Sequence, residues 1–152
     1  MSEQLYSVAD LVPHSGKMSL LSTIESYTHS SLTASVLITK DSMFADSDGV
    51  PAWVGIEYMA QAIGAYAGLQ QRNLGQAPKL GFLLGSRKYQ CDAPVFSLGS
   101  KLIIVAEREL MAENGLSVFK CRLSAPGVNA SAQLNVYQPE DAELFLKGEN
   151  NE

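Results

Sequence analysis

The sequence predicts an α+β fold, in which a curved antiparallel sheet of about six strands wraps around one long central helix. Two segments that alternate apolar and polar residues precede a long apolar helix, and four similar segments follow it. The helix is rich in glycine and alanine, although glycine costs about 1 kcal/mol relative to alanine within a helix. Small residues therefore indicate that other backbone approaches this helix closely. Since one helix cannot cover both faces of such a sheet, a sheet curved around the helix is the economical arrangement.

The predicted elements follow one another in a simple order. Two strands at residues 18–27 and 31–39 are joined by a turn, a polar loop follows at 40–48, and the helix runs from Pro51 to about Arg72. The four later strands, which are expected to form a meander, lie at residues 80–90, 101–110, 116–124 and 129–137.

Length, charge and composition restrict the class of protein. The 152 residues, of which 46% are hydrophobic, are predicted to form a single domain over residues 1–138, with an acidic C-terminal tail at 139–152. The net charge of −5 argues against DNA or RNA as a partner, because binding phosphates needs a basic surface. No apolar run reaches the roughly 18 residues of a membrane span, and the first residues do not resemble a signal peptide. The expected location is the cytoplasm.

Common motifs for metals, phosphates and nucleophiles are absent from the sequence. Cys91 and Cys121 have no metal-ligand spacing and no disulfide framework, so each is predicted to be a small buried side chain in a strand. The segment GFLLGS at residues 81–86 lacks the ending of a phosphate loop. No G-x-S-x-G elbow occurs.

The helix carries one carboxylate, Glu57, and one amide, Gln61, in an otherwise apolar stretch at residues 49–69. The two residues are four positions apart and share a face, and no Lys or Arg lies within the stretch. Glu57 either faces water or is largely buried beside a tunnel, which is the arrangement we expect. A partly buried carboxyl without a nearby cation can hold a proton near neutral pH, which suits general acid–base work. Gln61 either orients that carboxyl or bonds at a subunit boundary.

Two histidines are the other candidates for proton transfer. His29 lies in the predicted turn Thr28–Ser30 and is expected to face solvent. His14 lies between Pro13 and Gly16, in a loop just before the first strand. A histidine in such a loop is either structural or available for proton transfer.

Four segments together resemble a known enzyme family, the hot-dog 3-hydroxyacyl-[acyl-carrier-protein] dehydratases. The helix stretch GVPAWVGIEYMAQAIGAYAG is similar to the PGVLILEAMAQAAG helix of that family. LVPHSGKMSLLSTI resembles the family's LPHRYPFLLVDRV segment, and FLLGSRKYQCDAPVFSLGSKL resembles its FAGIDKARFRRPVVPGDQL strand pair. The last segment, SVFKCRLSAPGVNASAQLNVY, is similar to its closing hairpin. The resemblance covers residues 11–137 and is greatest to the divergent branch of aryl-polyene-type lipid pathways.

This resemblance implies a hot-dog fold and commonly a dimer, homomeric or with a related hot-dog subunit, whose sheets join edge to edge. The active sites then lie between subunits, with an acyl tunnel beside the central helix. The implied reaction removes water from a 3-hydroxyacyl thioester on an acyl carrier protein, gives the trans-2-enoyl thioester, and needs no cofactor. The family's helix carboxylate falls on Glu57, its helix glutamine on Gln61, and its thioester-binding backbone N–H on Ala52. Candidate docking charges for an acidic carrier, or ordinary solvated residues, are Arg72, Lys79, Arg87 and Lys88.

The sequence departs from the family at one important position. The family's catalytic histidine falls on Met43, whose thioether cannot transfer a proton. We therefore expect His14 to act as the base, Glu57 as the acid, and the helix start at Ala52 and Trp53 to supply donors for the thioester oxygen. Two alternatives stay open: an acyl thioesterase that uses the helix carboxylate, and a non-catalytic subunit that pairs with an active dehydratase.

Overall fold

The structure is a computed structural model that describes residues 20–73, 82–111 and 115–137. His14, the predicted C-terminal tail and the first two residues of the first predicted strand lie outside these ranges. Within them the chain forms, in order, β1 (Thr23–Tyr27), β2 (Ser31–Leu37), β3 (Gly49–Pro51), a 3₁₀ turn (Ala52–Val54), α1 (Gly55–Asn73), β4 (Phe82–Cys91), β5 (Val95–Ser97), β6 (Lys101–Met111), β7 (Leu116–Ala125) and β8 (Val128–Tyr137).

Six of the eight described strands form an antiparallel sheet in the order β1-β2-β6-β7-β8-β4. The predicted architecture of one sheet and one helix is thus confirmed. The predicted meander of four strands is wrong for β4, because β4 pairs with β8 at the far edge while β6 pairs with β2. The chain crosses from one edge to the middle of the sheet through β5, and alternating hydrophobicity alone does not reveal which strands become neighbours.

The core lies between the inner face of the sheet and α1. Every second residue of the central strands is buried, as the alternating pattern predicted, because successive side chains of a strand point to opposite faces. Cys121 on β7 is fully buried as predicted, whereas Cys91 at the end of β4 is half-buried. The helix residues that complete this core are Tyr58, Met59, Ala62, Ile63, Ala65, Tyr66 and Leu69.

The helix begins later than predicted. Pro51 is not its first residue but ends β3 in an extended conformation, with φ −58° and ψ 142°. β3 forms a separate two-stranded sheet with β5, which the sequence did not predict because three residues are too few to show a period. Gly49 makes this pairing possible: its φ is +143°, and a Cβ there would lie 2.0 Å from the carbonyl oxygen of Phe96.

Candidate active site

The carboxylate and the amide of the helix are in contact. Glu57 lies in the first turn of α1, and Gln61 follows one turn later with only 2% of its surface exposed. The Gln61 Nε2 donates to Glu57 Oε1 at 3.2 Å, and the Gln61 Oε1 accepts the backbone N–H of Leu20 at 2.8 Å. A backbone N–H can only donate, so the Leu20 contact sets which end of the Gln61 amide faces the carboxylate. The expected juxtaposition of Glu57 and Gln61 is therefore present.

The side chain of Glu57 is half-buried, whereas a largely buried side chain beside a tunnel was expected; the tunnel stays a prediction. The sheet covers the neighbouring Tyr58 and Met59 completely, because these residues face the inner side of the sheet. Glu57 thus lies at the border between the core and an open surface, where a substrate or a second subunit can reach it.

The backbone of the helix start is held by the strands around it. The amide of Ala52, which was expected to bind the thioester, donates to the carbonyl of Pro94 at 3.0 Å and is therefore occupied. The carbonyl of Ala52 accepts the N–H of Gly55 and the hydroxyl of Tyr89, the latter at 2.5 Å. The Ala52 amide, for which a thioester-binding role was predicted, is therefore not free to donate to another oxygen in this conformation.

The next amide along the chain is that of Trp53. The first N–H groups of a helix have no partner within it, and they lie at the positive end of the helix dipole. Trp53 lies in the 3₁₀ turn that leads into α1, and Glu57 lies in the first turn of α1. The Trp53 amide is therefore the better candidate for an oxygen-binding donor.

The loop before β3 lies against the helix start. The ring of Phe44 packs on the ring of Trp53, with centroids 5.1 Å apart and planes inclined by 58°, and both side chains are more than half exposed. Phe44 has φ +69°, a left-handed conformation that a bulky side chain rarely adopts. This packing places the segment that contains Met43 beside the helix start. Met43, on which the resemblance places the family's histidine, is the residue before Phe44 in this segment.

Of the two histidines, only His29 lies within the described residues, and it is not near the helix start. His29 is exposed in the β1–β2 turn, as predicted, and its carbonyl accepts hydrogen bonds from Tyr66 and Gln70 near the other end of α1. His14 lies outside the described residues, so its role stays a prediction.

Tyr89 contacts the helix start, and this contact was not predicted from the sequence. Burial, and to a lesser extent the neighbouring Cys91 thiol, raises the pKa of the Tyr89 phenol well above its usual range. The phenol therefore stays protonated and donates to the Ala52 carbonyl. The one sequence signal for this contact is the position of Tyr89 in the predicted strand FLLGSRKYQC, because a tyrosine that faces the core needs a partner for its hydroxyl.

An open depression of about 540 Å³ lies on the opposite, outer face of the sheet. Its walls include Ile103, Val105 and Arg122, which alternate with the buried residues that face α1. It is therefore separated from Glu57 by the sheet. Within residues 20–73, 82–111 and 115–137, no group of His, Cys, Asp and Glu could hold a metal ion. No helix in these ranges has the length and apolarity needed to cross a membrane.

Solved structures share this architecture. A chain of the dehydratase heterocomplex ApeI:P from Xenorhabdus doucetiae is 31% identical, with coverage of 93% of this chain and 96% of that chain and a TM-score of 0.81. The PaaI protein from the phenylacetic acid degradation operon of E. coli is 12% identical, with coverage of 75% and 80% and a TM-score of 0.58. A hypothetical thioesterase with coenzyme A from Streptococcus pneumoniae is 14% identical, with coverage of 78% and 90% and a TM-score of 0.55. The last two likenesses show the hot-dog fold alone.

The comparison with protein families agrees with the first of these structures. No curated protein matches the sequence. A family model described as ApeP dehydratase matches residues 6–147, nearly the whole chain. The chain therefore belongs to the ApeP-like family of hot-dog dehydratases.

Proposed function

We propose that the chain dehydrates 3-hydroxyacyl thioesters, presented on an acyl carrier protein, to trans-2-enoyl thioesters. The observation that carries the proposal is the carboxylate of Glu57 at the border of the core, held by the buried amide of Gln61 at 3.2 Å. A fixed carboxyl beside the start of a helix suits a reaction that needs an acid and an oxygen-binding donor at one place. Membership of a dehydratase family supports the reaction type.

The elimination assigns separate tasks to the residues of this site. A base removes a proton from C2, and electrons move toward the thioester oxygen, which accepts a hydrogen bond from the Trp53 amide. The C2–C3 double bond forms as the C3–O bond breaks, and Glu57 gives its proton to the departing hydroxyl, which leaves as water. The base then holds one proton more and Glu57 one fewer, and proton exchange through solvent restores both.

The base is His14 or a histidine of a partner subunit. Leu20, whose N–H binds the Gln61 side chain, lies only six residues after His14. Six residues span at most about 20 Å, so His14 lies within about 20 Å of Leu20. Since Gln61 contacts both Leu20 and Glu57, this limit allows His14 and Glu57 to serve one substrate.

A second candidate function is that of a subunit that does not act alone. Met43 stands where the family's histidine is expected, and a 31% identical chain was solved in a dehydratase heterocomplex. A related hot-dog subunit that supplies the histidine would complete a site with Glu57. Within the described residues, β1 and β4 are the two edge strands of the six-stranded sheet. Edge-to-edge pairing with the sheet of another subunit would cover one of these edges.

The carrier protein and the pathway are further parts of the proposal. Carrier proteins are acidic, and the exposed Lys88 is a candidate contact for one of them. The branch of the family points to fatty acid or aryl polyene biosynthesis in the cytoplasm.

The test is an assay of the purified chain with 3-hydroxyacyl and enoyl thioesters of an acyl carrier protein, alone and after addition of a related hot-dog subunit. The proposal expects enoyl product and water without release of free thiol. Product from the chain alone favours His14 as the base. Product only with both subunits favours the second candidate. Release of free thiol without enoyl product would contradict both and indicate a thioesterase.

A further inference from the structure

Tyr89 reaches the helix start because strand β4 is irregular. The pairing of β4 with β8 shifts register between Arg87 and Gln90, and Lys88 within this bulge has φ +57°. A bulge inserts an unpaired residue, increases the local twist and re-aims the side chains that follow it. The residue after Lys88 is Tyr89, and its hydroxyl lies 2.5 Å from the carbonyl oxygen of Ala52. The bulge therefore joins the sheet edge to the first turn before α1.

The Tyr89 hydroxyl also packs closely against Gly55, the first residue of α1. A Cβ atom at Gly55 would lie 2.3 Å from the Tyr89 hydroxyl oxygen and 3.2 Å from the ring of Phe96. Only glycine leaves room for the phenol at this point, because real Cβ atoms do not approach so closely. Three features therefore act together: the bulge at Lys88, the phenol of Tyr89 and the missing side chain at Gly55.

The geometry points to a role for this contact in catalysis, which rests on the function proposed above. We propose that Tyr89 is a positioning residue: by holding the Ala52 carbonyl it fixes the 3₁₀ turn and directs the Trp53 amide at the thioester oxygen. The Ala52 amide is held by Pro94, so both polar groups of the Ala52 backbone are tied to neighbouring strands. The Ala52 carbonyl and the Trp53 N–H belong to one planar peptide unit, so a carbonyl that is held in place also fixes the direction of this N–H. Such fixed donors are effective because they need no reorganisation during the reaction.

The test compares two tyrosines that donate the same type of bond at opposite ends of α1. Tyr89→Phe removes the bond to the Ala52 carbonyl, and Tyr66→Phe removes a phenol bond to the His29 carbonyl. In the form of the enzyme that shows dehydration, alone or with its partner subunit, Tyr89→Phe is expected to lower kcat on the order of 10- to 100-fold, with KM changed less than about twofold. Tyr66→Phe is expected to keep kcat within about twofold of wild type, because its bond lies far from Glu57.

A second readout does not depend on activity. Trp53 is the single tryptophan of the chain, and it lies in the turn that Tyr89 is proposed to hold. Tyr89→Phe is expected to shift the tryptophan emission maximum. It should also speed hydrogen exchange of the Gly55 amide, which donates to the Ala52 carbonyl, about tenfold through local opening of the turn. Tyr66→Phe should leave both signals unchanged.

The two readouts separate the failure of this proposal from the failure of the proposed function. If wild type forms no enoyl product in any combination, the dehydratase function is wrong, and the emission and exchange signals still decide whether Tyr89 holds the turn. The positioning role is overturned if Tyr89→Phe keeps wild-type kcat. It is also overturned if the emission and exchange signals stay unchanged, or if Tyr66→Phe changes kcat and these signals to the same extent.

Discussion

Gln61 donates a hydrogen bond to the carboxylate of Glu57 at 3.2 Å while its own oxygen accepts the N–H of Leu20 at 2.8 Å. One buried amide thus ties the backbone that leads into β1 to the carboxylate of the helix. The oxygen and the nitrogen of the Gln61 amide both have partners, and such hydrogen bonds hold side chains in one orientation. The acid of the proposed site is therefore oriented before any substrate or second subunit binds.

Replacement of Gln61 tests this network. Gln61→Leu keeps a similar size but leaves the Leu20 N–H and the Glu57 carboxylate without the amide, so the free energy of unfolding should fall by about 1–3 kcal/mol. Urea denaturation followed by circular dichroism measures this change. Gln90→Leu, at an exposed position of β4, is the control and should stay within about 0.5 kcal/mol of wild type. Equal stabilities for both variants would show that the Gln61 bonds contribute nothing.

The close fit between Gly55 and Tyr89 predicts that substitutions of these two residues have non-additive effects on the free energy of unfolding. Gly55→Ala places a Cβ 2.3 Å from the Tyr89 hydroxyl, so overpacking should cost about 1–3 kcal/mol of unfolding free energy. Tyr89→Phe removes the closest atom, and the double variant should be at least about 0.5 kcal/mol more stable than the sum of the single changes predicts. Thermal denaturation of the four proteins of this cycle measures the coupling. Strict additivity would mean that a Cβ at position 55 does not contact the Tyr89 hydroxyl, contrary to the structure.

The two histidines should behave differently on substitution. If His14 is the base, a folded His14→Ala variant should lose dehydration activity by roughly 10²- to 10⁴-fold, the usual contribution of a general base. His29→Ala should keep wild-type activity, because the His29 side chain faces solvent in the β1–β2 turn. Rates of enoyl formation by the chain alone provide the measurement. Wild-type turnover by His14→Ala would assign the base to another group.

The two cysteines should differ in their reactivity. Burial raises the pKa of the Cys121 thiol to about 12, so at pH 8 this thiol stays protonated and unreactive in the folded protein. Iodoacetamide should therefore leave Cys121 unmodified in a folded Cys91→Ser variant and modify it after unfolding in urea. Mass spectrometry counts the added groups. Labelling of Cys121 at equal rates in the folded and unfolded states would contradict its place in the core.

Much of the fold could be predicted from the sequence because strong periodic patterns decide it. The alternation in 31–39 and 116–124 predicted β2 and β7, and the small residues of the helix predicted the sheet that surrounds it. Partner choice could not be predicted in the same way: β4 pairs with β8 across the sheet, and no local pattern encodes that pairing. The three-residue strands β3 and β5 are too short to show a period.

The contact between the side chains of Glu57 and Gln61 was predicted from the sequence, but the backbone contacts of Ala52 were not. Spacing alone placed Glu57 and Gln61 on one face, and the structure confirms their contact. The occupation of the Ala52 amide by Pro94 depends on how β5 passes the helix start, which spacing along the chain does not show. The role of Tyr89 depends on a bulge at Lys88, a local irregularity that the sequence pattern does not reveal.

The rate of dehydration by a Glu57→Gln variant tests the central claim most directly. Gln keeps the size of the side chain and its position at the helix start but cannot give a proton to the leaving hydroxyl. With 3-hydroxyacyl thioesters of an acyl carrier protein, in the combination of subunits that is active for wild type, enoyl formation should fall by about 10²-fold or more. Glu109→Gln, at an exposed position of β6, should retain the wild-type rate. A folded Glu57→Gln variant that forms enoyl product at the wild-type rate would contradict the account.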